Sequence, residues 1–108
     1  MRYLVELTER AARDLGRLYR RIDAENSRRA RDWFNELEAL VFSLDQSPGR
    51  GAACPEDRAL RQLRFGKRRD VYRIIYSIDE ERRIVTVLHS RHCAQAAFGP
   101  QTDGETPP

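Results

Sequence analysis

The apolar residues between Ala30 and Leu44 recur at every third or fourth position, the spacing of one face of an α-helix. A stripe this continuous must be covered by other apolar surface, because one helix cannot bury it alone. The chain therefore needs a second layer that packs against this helix. The stripe consists of Ala30, Trp33, Phe34, Leu37, Leu40, Val41 and Leu44.

Another helix is predicted upstream, from roughly Glu9 to Arg21, with the Thr8 hydroxyl as its N-cap. Only the polar segment from Asp23 to Ser27 separates the two helices, so they should form an antiparallel hairpin. The apolar face of this hairpin needs a flat surface to cover. The inward positions of the first helix are Ala11, Leu15, Leu18 and Ile22.

Four segments with strand-like patterns supply that flat surface: Arg2 to Leu7, Leu60 to Phe65, Val71 to Ile78 and Ile84 to Ser90. The short turns between the last three imply an antiparallel meander. A loop from Ser47 through Glu56 precedes it. The order β-α-α-β-β-β predicts an α+β fold, with an N-terminal helical hairpin on one face of a small antiparallel sheet and the other face open for function.

The chain of 108 residues has room for one domain, which we expect to span residues 1–98 and to be followed by a disordered tail over 99–108. No apolar run approaches the ~18 residues of a membrane span, and the N terminus lacks a signal-peptide core. We therefore expect a cytoplasmic protein. Cys54 and Cys93 lie far apart in sequence and show no metal-ligand spacing, so neither a disulfide nor a metal site is expected. We also expect no cofactor and no thiol catalysis.

Arginine dominates the cationic residues, since only Lys67 among the 20 is a lysine. A guanidinium holds phosphate oxygens bidentately and stacks on bases, so this bias suits a nucleic-acid or ribosome partner. A GC-rich genome would produce the same bias. The first helix carries a basic strip that is typical of a solvated helix face: Arg10, Arg13, Arg17, Arg20 and Arg21.

From Arg50 to Arg73 the chain has eight cationic residues against three acidic ones, an excess of five. Together with Phe65 and Tyr72, such a segment could form a groove that tracks phosphates and stacks bases. The alternative is a charged strand edge that prevents aggregation. The candidate RNA-binding or phosphate-binding residues are Arg61, Arg64, Lys67, Arg68, Arg69 and Tyr72.

Alternation in the third strand places Arg73 on the face opposite Tyr72, Ile74 and Tyr76. A guanidinium in mid-strand is costly unless it is solvated or paired with an anion, so the floor of a wet groove would suit it. The alternative is an internal ion pair with Asp70, Asp79 or a neighbouring carboxylate.

Both histidines, His89 and His92, lie near the end of the last strand, on either side of Arg91. A histidine can move a proton at neutral pH, and RNA cleavage through the 2′-hydroxyl needs a base, an acid and a cation on the phosphate. The candidate catalytic residues are therefore Arg73, His89, His92 and Arg91. A structural role at the strand end would explain the histidines equally well.

Several of these segments together resemble the RelE/ParE toxins of type II toxin–antitoxin systems, and the likeness covers about Met1 to Gln95. Its most specific part is Tyr-Arg-Ile-Ile-Tyr at residues 72–76, followed by an Asp turn and the Val-Leu-His strand at 87–89. The resemblance implies the fold predicted above. It also implies a cognate antitoxin that forms a hetero-oligomer with the toxin and masks its active surface.

Function divides within this family, because RelE-like toxins cut mRNA on the ribosome whereas ParE-like toxins inhibit DNA gyrase without nuclease chemistry. Arg73 matches the arginine that RelE-like nucleases place in this strand. The lysines usual on the preceding strand and the catalytic tyrosine near the C terminus have no counterpart here. The resemblance therefore favours an mRNA endoribonuclease in which His89 and His92 carry protons, with gyrase inhibition or an inactive or otherwise specialised relative as alternatives.

Overall fold

The computed structural model describes residues 2–67 and 71–92. Along the chain it contains β1 (Leu4–Leu7), α1 (Glu9–Arg21), α2 (Arg28–Phe42), β2 (Ala52–Ala53), β3 (Arg61–Phe65), β4 (Tyr72–Asp79) and β5 (Ile84–His92). Two short 3₁₀ turns, Ser43–Asp45 and Pro48–Arg50, connect α2 to β2. None of the described helices is long and apolar enough to cross a bilayer.

The predicted α+β architecture is confirmed, with a helical hairpin packed on one face of the sheet. Helix α1 has the predicted bounds, and the Thr8 hydroxyl accepts the backbone N–H of Ala11 at its start. The Ser27 hydroxyl caps α2 in the same way, at the backbone N–H of Ala30. Each cap satisfies a backbone donor that a helix leaves unpaired, which explains why the helices begin where they do.

The sheet has the strand order β1-β5-β4-β3-β2 and is mixed rather than wholly antiparallel. The meander of β3, β4 and β5 is antiparallel as predicted, but β1 pairs with β5 in parallel, with Val5 opposite Val85. A parallel pair needs a long crossover, and the helices together with β2 to β4 supply it. The two-residue strand β2 arises from the loop predicted over Ser47 to Glu56.

The core lies between the helical hairpin and one face of the sheet. Leu37 and Val41 of α2 are fully buried there, as are Tyr76 of β4 and Val85 of β5. Tyr72, Ile74 and Tyr76 belong to this core, which confirms the predicted alternation of β4. The opposite face of β3, β4 and β5 is not covered by the helices.

Candidate functional site

The face of the sheet opposite the helical hairpin carries the polar side chains of the candidate site. The register of β3 and β4 places Arg64 opposite Arg73 and Gln62 opposite Ile75. On the other side of β4, Arg91 lies opposite Arg73 and His89 opposite Ile75. Directly opposed residues point to the same face, so Gln62, Arg64, Arg73, His89 and Arg91 share one surface. We call this surface the open face.

A β-bulge decides which residues of β5 reach the open face. Val85 and Val87 point into the core, so strict alternation would send His89 inward as well. The pairing shifts between Tyr76, which faces Val87, and Ile75, which faces His89, so one extra residue of β5 is accommodated there. The bulge reverses the alternation, which turns His89 and Arg91 outward to the open face and Ser90 and His92 toward α1.

Arg73 is 97% buried and fully engaged in polar contacts on the open face. Its two terminal nitrogens, Nη1 and Nη2, donate to the Glu56 carboxylate at 2.8 and 2.9 Å. Its Nε donates to the Gln62 side-chain oxygen at 2.5 Å. This fork geometry is how a guanidinium binds any two-oxygen anion, whether carboxylate or phosphate. The ion pair that the sequence left as an alternative is therefore present, with Glu56 as the carboxylate.

The other half of this ion pair is exposed to solvent. The Glu56 side chain retains half of its accessible surface. The hydrogen bonds from Arg73 hold the pKa of the Glu56 carboxyl at about 2, well below its usual range, with smaller contributions from the charges of Arg73 and Arg91. Glu56 is therefore ionised at neutral pH, and it lies where an incoming anion would approach Arg73.

The loop that carries Glu56 is anchored to the sheet at its base. The Tyr76 hydroxyl donates to the Pro48 carbonyl at 2.5 Å and accepts the backbone N–H of Gly51 at 3.1 Å. Further along, the backbone N–H of Cys54 donates to the Leu60 carbonyl at 2.9 Å. The core tyrosine of β4 thus fixes the loop that brings Glu56 to Arg73.

Two cavities meet at Glu56. One of about 390 Å³ is lined by Pro55, Glu56, Gln62, Arg64 and Arg73. The second, of about 150 Å³, lies toward β5 and is lined by residues that include Cys54, Ile75, His89 and Arg91 as well as Glu56. A chain lying along the open face would therefore pass Arg64, Arg73 and His89 in turn.

His89 is neutral at physiological pH. Desolvation by burial is the main cause that lowers its pKa to about 4, and the nearby charges of Arg10 and Arg91 lower it further. Its Nδ1 atom is buried and has no hydrogen-bond partner within the described residues. A neutral imidazole can accept a proton, so His89 is available as a base at neutral pH, although its low pKa makes it a weak one.

The structure does not bring all the predicted site residues together. Tyr72 and His92 lie opposite each other on the helix side of the sheet, with their rings 4.9 Å apart. Arg61 also points to that side, where its Nη1 donates to the Gly49 and Gly51 carbonyls at 3.2 and 2.7 Å. Lys67 is exposed at the turn after β3. The predicted grouping of these residues with Arg73 is therefore split between two faces.

Some predictions fall outside the described residues: Arg68, Arg69, Asp70, Cys93 and the tail over 99–108. Cys54 is buried, and desolvation raises the pKa of its thiol. Over the described ranges, no group of three or more His, Cys, Asp or Glu side chains is arranged to hold a metal ion.

Sequence reasoning missed two residues of this site, Gln62 and Glu56. Gln62 could have been found, because it alternates with Arg64 and therefore shares its face. Glu56 lies 17 positions from Arg73 in an irregular loop, and no periodicity predicts where such a loop places a side chain. Only the folded structure reveals this contact.

Comparison with known structures identifies the same fold elsewhere. The RelBE2 toxin–antitoxin complex from Mycobacterium tuberculosis contains a chain that is 27% identical, with a TM-score of 0.62, over 85% of this chain and 99% of that one. The chromosomal ParDE system of P. aeruginosa has a chain at 18% identity and a TM-score of 0.67, covering 83% and 95%. A variant of E. coli toxin RelE in the free state gives 17% identity and a TM-score of 0.58, covering 91% and 92%.

No curated protein sequence matches this chain. The profile of the family described as the ParE toxin of the type II toxin–antitoxin system parDE does match it, over residues 5–96, which include every described strand and helix except the first residue of β1. The chain therefore belongs to the ParE toxin family and is a RelE/ParE-type toxin of a type II toxin–antitoxin system.

Proposed function

We propose that this toxin is a metal-independent endoribonuclease that cuts mRNA on the ribosome at its open face. The observation that carries the proposal is the bidentate grip of Arg73 on Glu56, because the same two nitrogens would hold two oxygens of a scissile phosphate. Gln62 orients the guanidinium through its Nε. Glu56, which is exposed and belongs to a loop, would give way to the RNA.

The remaining chemistry requires movement of protons. His89 would take the proton from the ribose 2′-hydroxyl, and the 2′-oxygen would then attack the phosphorus. The bond from phosphorus to the 5′-oxygen breaks, and the leaving oxygen takes a proton from solvent. The products are a 2′,3′-cyclic phosphate and a free 5′-hydroxyl. Arg73 and Arg91 would stabilise the negative charge that builds on the phosphate.

Induction of the toxin in a bacterial host tests this proposal. A ribonuclease should arrest translation rapidly and leave mRNA cut within codons, with cyclic phosphate at the new 3′ ends. Arg73→Ala should make the cuts far rarer. Intact mRNA during growth arrest would contradict the proposal.

The second candidate function is inhibition of DNA gyrase. It is favoured by the match to the ParE toxin profile. This function predicts filamentation, an SOS response and intact mRNA after induction. The two mechanisms are therefore separable in one experiment.

A cognate antitoxin is the partner that we propose for neutralisation. The complexes of the RelBE2 and ParDE systems supply the precedent, and the cations of the open face suit acidic antitoxin side chains. Arg64→Glu should weaken the complex by tenfold or more. Arg82→Glu, an equal charge change on the distant β4–β5 turn, is the control. Equal effects of both changes would exclude the open face as the antitoxin site.

A further inference from the structure

A second basic cavity lies on the helix side of the sheet, away from the Arg73–Glu56 pair. It has a volume of about 230 Å³, below the usual size of a drug-like ligand site, and it suits a small group. Its lining combines one face of α1 with the ends of β4 and β5. The polar lining residues are Asp14, Arg17, Arg21, Tyr72, Ser90, Arg91 and His92.

Two regular elements place the polar groups of this cavity. Arg17 and Arg21 are one turn apart on α1, so they project from the same face of the helix. Ser90 and His92 alternate on β5 and point toward that helix because of the bulge in the strand. Arg21 also donates a hydrogen bond to the Tyr72 hydroxyl. Within the described residues, most of the five N–H donors of its guanidinium are left for a ligand.

The charge of the cavity favours an anion. Two arginines of α1, Arg17 and Arg21, line the cavity with a single acid, Asp14, so the excess is one positive charge without counting His92 or Arg91, whose side chain points to the open face. One Asp14 oxygen already accepts the backbone N–H of Ser90 at 3.0 Å. Among the residues that the structure describes, neither Arg17 nor Arg21 has a carboxylate within ion-pair distance.

An unused hydroxyl points to the same ligand chemistry. The Ser90 Oγ atom is buried and has no hydrogen-bond partner in the described part of the chain. A buried hydroxyl without a partner is costly, and such atoms in native structures usually have a ligand, an ion or a water. A tetrahedral oxyanion would accept from Ser90 and from the two guanidinium groups together.

We propose that this cavity binds a phosphate group through Arg17, Arg21 and the Ser90 hydroxyl, with His92 at its edge. Single-stranded RNA is the source that the position favours, because Arg91 lines both this cavity and the one beside His89. Phosphates of one strand could then contact both faces at the end of β5. The proposal concerns binding alone and does not require that the Arg73 site cleave RNA.

The test measures anisotropy of the full chain with a fluorescein-labelled 2′-O-methyl RNA of about ten nucleotides, a length that a small domain can cover and that cannot be cleaved through its 2′-oxygen. Arg17→Ala with Arg21→Ala should weaken binding about tenfold or more. The dependence of log affinity on log salt should become shallower by roughly 0.7, the loss of one phosphate contact. Arg13→Ala with Arg20→Ala removes the same charge from α1 outside the cavity and should change affinity less than about twofold.

A single-residue variant and a phosphate titration test the same cavity independently of the double variant. Arg17→Glu alone leaves the Arg21–Tyr72 contact intact and should reproduce the loss if the double variant folds poorly. Inorganic phosphate should shift the His92 imidazole signals in NMR spectra of the natural chain and not of Arg17→Glu. A phosphate shift without any change in RNA affinity would assign the cavity to a small phosphorylated molecule.

Two outcomes would overturn the proposal. Equal losses of RNA affinity in the two double variants would show a general effect of charge. If Arg17→Glu changes neither the RNA affinity nor the response of His92 to phosphate, and weakens only antitoxin binding, the cavity holds an acidic protein side chain instead.

Discussion

The Arg73 guanidinium grips both carboxylate oxygens of Glu56, although Arg73 is buried and the Glu56 side chain is half-exposed. Arg73 is the residue that we propose for binding the scissile phosphate, and in this structure it already holds the carboxylate of Glu56 from the loop before β3. This asymmetry means that the pair can open from one side without moving β4. Stability should therefore depend on Glu56, whereas phosphate binding should depend on Arg73.

Replacing Glu56 by Gln should destabilise the fold by about 1–2 kcal/mol, less than the 3–5 kcal/mol of a fully buried pair, because half of the Glu56 side chain is already solvated. Urea unfolding at neutral pH measures the difference. Glu81→Gln, on the exposed turn after β4, should change stability by less than about 0.5 kcal/mol. Equal stability of the Glu56 variant and the natural chain would mean that the ion pair contributes nothing.

Acid should lower the free energy of unfolding in two successive pH ranges. His89 has a folded pKa of about 4 against a usual value of 6.5, so the unfolded state binds its proton first and stability falls between about pH 6.5 and 4. Glu56 has a folded pKa of about 2 against 4.5, so its contribution is lost between about pH 4.5 and 2. His89→Gln should flatten only the upper stage and Glu56→Gln only the lower one. Unfolding free energies at intervals of pH would show these stages, and identical curves for the two variants would refute the assignment.

Arg73→Ala should slow RNA cleavage by roughly 100- to 1,000-fold, the usual cost of one charge-assisted contact in the transition state. Glu56→Gln is the matched control, because it breaks the same ion pair but keeps Arg73, the residue proposed to bind the phosphate. Its cleavage rate should stay within a few-fold of the natural rate, once the folded fraction is known from melting curves. If both variants lose activity equally, Arg73 acts as a structural partner of Glu56 and not on the phosphate.

Gly51→Ala should destabilise the anchor of the Glu56 loop by about 1–3 kcal/mol, because overpacking displaces well-packed neighbours. An added Cβ would lie 2.7 Å from the Gln62 carbonyl oxygen and would clash with the Tyr76 hydroxyl. At Gly49, two residues earlier, a Cβ would meet nothing within 4 Å, so Gly49→Ala should be nearly neutral. Thermal melting of the two variants compares them, and equal melting temperatures would show that the loop can shift freely.

The sequence by itself determined the local features of this protein. The spacing of Leu15, Leu18, Phe34 and Leu37 predicts both helices, and the alternation in β4 predicts that Arg73 lies on the face opposite Tyr76. Such predictions succeed because 3.6-residue and 2-residue periods fix the direction of each side chain relative to its own element. The family resemblance rests on the same local segments.

Tertiary structure alone decided how these elements meet. The bulge opposite Ile75 and Tyr76 turned His89 toward Arg73 and His92 away from it, and no repeat in the sequence marks that extra residue. The loop anchored by Tyr76 brought Glu56 to Arg73, while strand pairing sent Arg61 and Arg64 to opposite faces. Register and loop path depend on contacts between residues far apart in the chain, and those contacts exist only after the sheet and the helical hairpin have packed together.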